Sequence, residues 1–112
     1  MKVYRIEKNK NDGVWYDKNQ KYICENDILK TFPMPKQDNV YLSIYKSAGR
    51  SLDILLSFIP KEVQVELKKK GYVLAEYDTD DYFVKYYNGV EEICFNKTNY
   101  KERKVLKWRI KI

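Results

Sequence analysis

The sequence predicts an α+β domain: a mostly antiparallel sheet of about five strands with a helical pair inserted near its middle. Three observations carry this. Asn88-Gly89 stands between two β-forming runs, the strongest short hairpin signal in the chain, because both turn positions tolerate positive φ. Leu52, Leu55, Leu56 and Ile59 recur at helical spacing. Leu106, Trp108, Ile110 and Ile112 alternate with Lys107, Arg109 and Lys111, which is strand spacing with one apolar and one basic face.

The elements follow in order. MKVYRIE (1–7) reads as a strand, halted by the turn-prone NKNDG at 9–13. VWY at 14–16 is a short extended piece. KYICENDILKTF (21–32) is ambiguous, with Asn26 or Asp27 able to cap a helical turn that Pro33 and Pro35 end. VYLSIY (40–45) is a strand. Ser51 caps the Leu-rich helix. Pro60 suits the first turn of a second helix, KEVQVELKKK, which Gly71 stops and whose terminal lysines suit the helix dipole. Val63, Val65 and Leu67 also alternate like a strand, and the flanking Pro60 and Gly71 decide for helix. YVLAEYD (72–78), DYFVKYY (81–87), VEEICF (90–95) and VLKWRIKI (105–112) complete the sheet. At 112 residues the chain is expected to form one domain, 1–112, and 44% hydrophobic content supplies a core.

Composition removes several function classes. Histidine is absent, and with it the usual general base, the commonest metal ligand and the physiological pH switch. No cofactor and no metal is expected; DTDD at 78–81 lacks the glycine and the later glutamate of a calcium loop. The first residues hold no apolar run, so no signal peptide is expected, and no stretch approaches membrane-spanning length. A cytoplasmic location follows as an expectation. Cys24 and Cys94 lack CxxC spacing and read as two buried thiols, although their pairing stays open.

Charge is placed unevenly. Lys101, Arg103, Lys104, Lys107, Arg109 and Lys111 face only Glu102 in the last twelve residues, which hold +5 of the chain's net +6. If 105–112 is a strand, its basic ladder repeats about every 6.6 Å, near the spacing of phosphates on a nucleic-acid strand. The opposing reading is a lysine-guarded edge strand. An acidic counter-pole lies at Glu76, Asp78, Asp80, Asp81, Glu91 and Glu92. The candidate binding residues are therefore Arg103, Lys104, Lys107, Arg109 and Lys111, with Tyr82, Tyr86, Tyr87 and Tyr100 as contact area at small rotamer cost. SAGRSL (47–52) offers a second candidate, an anion at a helix start involving Ser47, Gly49, Arg50 and Ser51, although it is no P-loop.

Two resemblances bear on function. The Met1–Arg5 start, the Leu52–Ile59 helix and the Gly71–Asn96 stretch resemble a loose set of small uncharacterised phage and bacterial proteins. The lysine- and asparagine-rich, alanine-poor composition agrees with an AT-rich genome of that kind. The early Tyr-Arg strand and the late Glu92 look like minimal ADP-ribosyltransferase folds. That resemblance implies Arg5 at a dinucleotide, Glu92 as the late glutamate and Ser43 or Ser47 between them, but the Ser-Thr-Ser motif is missing.

The expected function is thus a non-enzymatic binder, phage or mobile-element encoded. It would dock a basic, tyrosine-rich surface on a nucleic acid or on an acidic or nucleic-acid-bound protein, and an anti-CRISPR type of inhibitor is its most concrete form. The alternatives are a minimal NAD-using transferase and a nucleotide-binding sponge. Homodimerisation stays open.

Overall fold

The computed structural model describes residues 1–8, 12–14, 45–57, 59–87 and 89–110, with Tyr87 and Val90 described by their backbone alone. The elements are β1 (Lys2–Glu7), β2 (Tyr45–Ala48), α1 (Leu52–Ser57), α2 (Lys61–Lys69), β3 (Val73–Asp78), β4 (Tyr82–Tyr87), β5 (Val90–Asn96) and β6 (Glu102–Leu106). The expected extended piece at 15–16, the segment 21–32 and the strand over 40–44 lie outside the described residues. β2 (Tyr45–Ala48) takes in Ser47 and Ala48, the first residues of the SAGRSL stretch.

The α+β class and the antiparallel pairing are as expected, but the single sheet is not. The described strands form two three-stranded sheets, ordered β1-β3-β6 and β2-β5-β4. The reason lies in β1 and β3. Both carry apolar residues at odd and even positions, so both faces of the first sheet need cover. One face presents Ile6 and Leu74 to Leu52, Ile59, Val63 and Leu67 of the helical layer. The other presents Val3, Ala75 and Tyr77 to Ala48, Ile93 and Phe95 of the second sheet. The result is three layers, with the first sheet in the middle. A two-way backbone exchange between Tyr4 and Gly49 (2.9 and 2.7 Å) ties β1 to the end of β2. A Cβ at Gly49 would stand 3.3 Å from Leu55 Cβ, so glycine suits this close approach.

The helices begin and end as their sequence dictates. Ser51 Oγ accepts the Ile54 N–H at 3.1 Å, a side-chain cap for α1. Pro60 precedes α2, and its carbonyl accepts from Val63 and Gln64. Val63 and Leu67, four apart, are the buried residues of α2. At its end Gly71 takes φ +90°, its N–H reaches the Lys68 carbonyl at 3.1 Å, and the Tyr72 N–H reaches the Leu67 carbonyl at 3.0 Å. This is a Schellman closure.

That closure also corrects the terminal strand. The sequence extends it over 105–112, whereas β6 runs Glu102–Leu106 and residues 107–110 belong to no strand. In the β3–β6 register Leu74 opposes Leu106, so Trp108 falls opposite Tyr72. The Tyr72 N–H is already committed to the helix cap and cannot extend the ladder. The Trp108 indole N–H instead donates to the Tyr72 carbonyl at 3.0 Å, and the ring joins the core. Alternation continues past the ladder because Trp108 is anchored, not because a strand persists.

Gly71→Ala is expected to lose about 1–2 kcal/mol, the cost of a left-handed L-residue. Urea denaturation checks this, and an unchanged midpoint would mean that the Schellman turn relaxes freely.

Candidate functional site

Between the two sheets lies a carboxylate that no solvent reaches. Glu7 is 0% exposed. On the inward face of β1 it follows Val3 and Arg5 at strand spacing. Its Oε1 accepts from Tyr77 OH at 2.7 Å and from Arg103 Nη2 at 2.7 Å and Nε at 2.9 Å. Its Oε2 accepts from Arg5 Nε at 3.0 Å and Lys97 Nζ at 3.2 Å. Arg5 Nη1 also donates to the Ser47 carbonyl at 2.9 Å, crossing to the second sheet. Lys97 and Arg103 lie over the Tyr77 ring at 5.9 and 5.8 Å.

Burial alone would raise the Glu7 pKa, but Arg5, Lys97 and the bonds from Tyr77 and Arg103 outweigh it and hold the carboxyl below its ordinary range. Three cations share one anion, and Lys97 bears the consequence. Burial first, then repulsion from Arg5, pushes its ammonium down to about 8. Tyr77 is pushed well up, by burial and then by its bond to Glu7, and keeps its proton.

The basic end of the chain is distributed rather than gathered into a ladder. Arg103 points inward to Glu7. Lys101 pairs with Asp80 at 2.7 Å, Lys104 with Glu102 at 3.8 Å and Arg109 with Asp53 of α1 at 2.6 Å. Lys107 is exposed, and Lys111 lies outside the described residues. The acidic stretch has local duties. Asp81 accepts from Tyr45 OH at 2.7 Å, Asn96 at 2.9 Å and Asn99 at 3.1 Å, and these bonds, Tyr45 first, lower its pKa. Among the described residues no cluster of acids or cysteines is arranged to hold a metal ion.

The tyrosines divide. Tyr100 packs edge-on against Tyr77 at 5.0 Å, half-buried in the core rather than on the surface the sequence assigned it. Tyr82 and Tyr86 stay on the surface, with Val84 between them, at 38%, 72% and 37% exposure. These three share one face of β4, the outer strand of the second sheet among the described residues. Arg50 lies beside them. Its pKa is raised first by Glu91, which accepts from Nε at 2.6 Å and Nη2 at 3.2 Å, and then by the Tyr82 and Tyr86 hydroxyls. The Tyr87 side chain lies outside the description.

The residues of the alternative sites come apart. Arg5 is buried between the sheets and engaged with Glu7. Glu92 shares a β5 face with Cys94, opposite the inward Ile93 and Phe95, and accepts the Cys94 thiol at 3.7 Å. The second sheet stands between Arg5 and Glu92, so the two do not converge on one reacting centre. Gly49 spends its backbone on Tyr4, Ser51 on its cap and Arg50 on Glu91.

Sequence reasoning missed Glu7, Tyr77 and Lys97. The signal available was a pair of opposite charges, Arg5 and Glu7, sharing a strand face with Val3 while Tyr4 and Ile6 make the other face apolar as well.

The arrangement defines a small layered α+β protein with a buried charge cluster and an exposed aromatic strand, among whose described residues no helix is long and apolar enough to cross a membrane. A family model described as Bacteriophage T4 Y00F protein matches residues 1–109, and the chain belongs to that family. No curated protein and no solved structure matches the chain.

Glu7→Gln leaves three cations around an uncharged amide and is expected to cost about 3–5 kcal/mol; chemical denaturation measures it, and a loss below about 1 kcal/mol would refute the pairing. Lys97 also predicts a pH dependence. Its folded pKa of about 8 lies below the ordinary 10.5, so between these values the unfolded chain binds more protons and stability rises with pH. Tyr77, shifted upward from 10.0, acts oppositely and lowers stability above pH 10. Urea midpoints from pH 7 to 10 should climb in the native protein and flatten in Lys97→Met. Equal slopes in the two would contradict the assignment.

Proposed function

We propose that this phage-family protein works by binding rather than catalysis, through the Tyr82–Val84–Tyr86 stripe of β4. The partner is a nucleic acid, single-stranded in the simplest case, and an acidic protein carrying nucleic acid is the next form. Inhibition of a host defence complex, as an anti-CRISPR protein acts, is the most concrete version. One observation carries the reading: three large side chains at i, i+2 and i+4 of β4 face water, the middle one purely apolar. Exposed apolar area of this kind marks contact surfaces. Successive stripe residues stand about 6.6 Å apart, which suits stacking of successive unpaired bases. The net charge of +6 attracts phosphates over a longer range. Lys104 and Lys107 contribute to this outer field, and Arg50 stands beside the rings in its pair with Glu91.

Fluorescence anisotropy of labelled single-stranded DNA at 50 and 200 mM salt tests the reading. Tyr82→Ala with Tyr86→Ala is expected to weaken binding by at least about tenfold, since one stacked base contributes roughly 1–3 kcal/mol. Lys104→Glu with Lys107→Glu should lower the salt slope while keeping the stacking contribution. Unchanged affinity in the tyrosine variant would remove the stripe from the contact. Absence of any binding at 50 mM by the native chain would transfer the surface to an acidic protein.

A further inference from the structure

We propose that the outer edge of β4 pairs antiparallel with β4 of a second copy of this chain, about a two-fold axis at Val84. The pairing uses the backbone of the strand and not its stripe, so it stands whether or not the nucleic-acid reading holds.

Hydrogen-bond direction fixes the register. The Asn96 N–H donates to the Asp81 carbonyl at 2.9 Å, which makes that pair a hydrogen-bonded one. Bonded and non-bonded pairs alternate along an antiparallel ladder. Phe83 and Lys85 therefore turn their N–H and C=O groups toward β5, opposite Cys94 and Glu92. Tyr82, Val84 and Tyr86 turn theirs away from β5, at the end of the order β2-β5-β4, where no other described strand pairs with them. Centring a two-fold on Val84 sets Val84 against its own copy and Tyr82 against the partner's Tyr86, each pair exchanging both bonds. Any other register that matches outward groups pairs fewer of them.

Side chains agree with that register. Directly opposed residues lie on the same face, so Tyr82 meets a tyrosine and Val84 a valine, both favourable cross-strand pairs. On the reverse face Lys85 meets the partner's Phe83, repeating across the axis the 5.7 Å cation–ring contact that Lys85 already makes with Phe83 in its own strand. No like charges oppose one another from Tyr82 to Tyr86. The edge of the first sheet contrasts with this: β6 places Glu102, Arg103 and Lys104 in succession, the charged guard that blocks such pairing. β4 carries Lys85 alone. Pairing would join the two tyrosine stripes into one two-fold platform.

Sedimentation equilibrium of the full chain, from about 10 µM to 1 mM, tests the proposal. The weight-average mass should rise from 13.6 kDa toward twice that value. Val84→Pro removes the central outward N–H while leaving the β4–β5 ladder intact, because that donor does not face β5. Val84→Lys opposes two like charges at the axis in a side chain that already meets solvent. Both variants are expected to stay monomeric with native circular dichroism. Amide hydrogen exchange supplies the register: the Tyr82, Val84 and Tyr86 amides should slow as concentration rises. A monomer over the whole range, dimers that persist in a folded variant, or dimers whose outward amides exchange at the monomer rate would each overturn the proposal.

Discussion

The structure depends on keeping one carboxylate charged where no water can reach it. Glu7 is the inward residue at the end of β1, and its two oxygens take five hydrogen bonds from described residues of β1, β3, β6 and the turn after β5. Through these bonds all three strands of the first sheet meet at a single point. Through Lys97, and through Arg5 to the Ser47 carbonyl, the second sheet is fixed to the first. An uncompensated buried charge would cost several kcal/mol, so each partner is held in place by the need of the others. A shift of one sheet against the other would have to break several charged bonds at once. Apolar contacts alone impose no such directional demand.

The same junction orients the outer strand. Thr79, fully buried, links the Asn99 carbonyl to the Asp81 N–H, and Asp81 gathers Tyr45, Asn96 and Asn99. The turn from β3 into β4 is thereby locked to the turn after β5. The chain leaves the first sheet after β3 at a fixed place, and β4 then pairs with β5 in the second. Its Tyr82, Val84 and Tyr86 share the inward side of that sheet with Ile93 and Phe95 but lie beyond the cover of the first sheet. The exposed stripe follows from this offset between the layers, and a rigid aromatic surface loses little conformational entropy on contact.

Local chemistry was legible in the sequence, and its long-range use was not. The Ser51 cap, the Leu52–Leu56 part of the apolar stripe, the Gly71 stop and the turn before Val90 were readable, because each depends on neighbours a few residues away; Ile59 is buried but lies beyond the end of α1. Gly89 does take positive φ, at +77°. The split into two sheets was hidden because alternation identifies a strand and not its partner. Apolar residues at adjacent positions, Leu74 and Ala75, were the trace of a sheet covered on both sides. The last strand was read too long because Trp108 and Ile110 continue the alternation, while the end of the ladder is decided by a helix cap at Tyr72. The basic tail was readable as charge but not as pairing: Arg103 is spent on Glu7, and Arg109 reaches an α1 aspartate 56 residues earlier. Tyr82 and Tyr86 were expected on the surface and lie there, whereas Tyr100 was drawn into the core by Tyr77.

The most direct measurement is a carbon-13 NMR titration of the Glu7 side-chain carboxyl. The buried cluster predicts that the Glu7 resonance stays that of a carboxylate as pH falls through 4.5, changing only below that value or when the protein unfolds. A titration centred at or above 4.5 in the folded protein would mean that burial outweighs the cations, and the ionic junction between the sheets would no longer account for the fold.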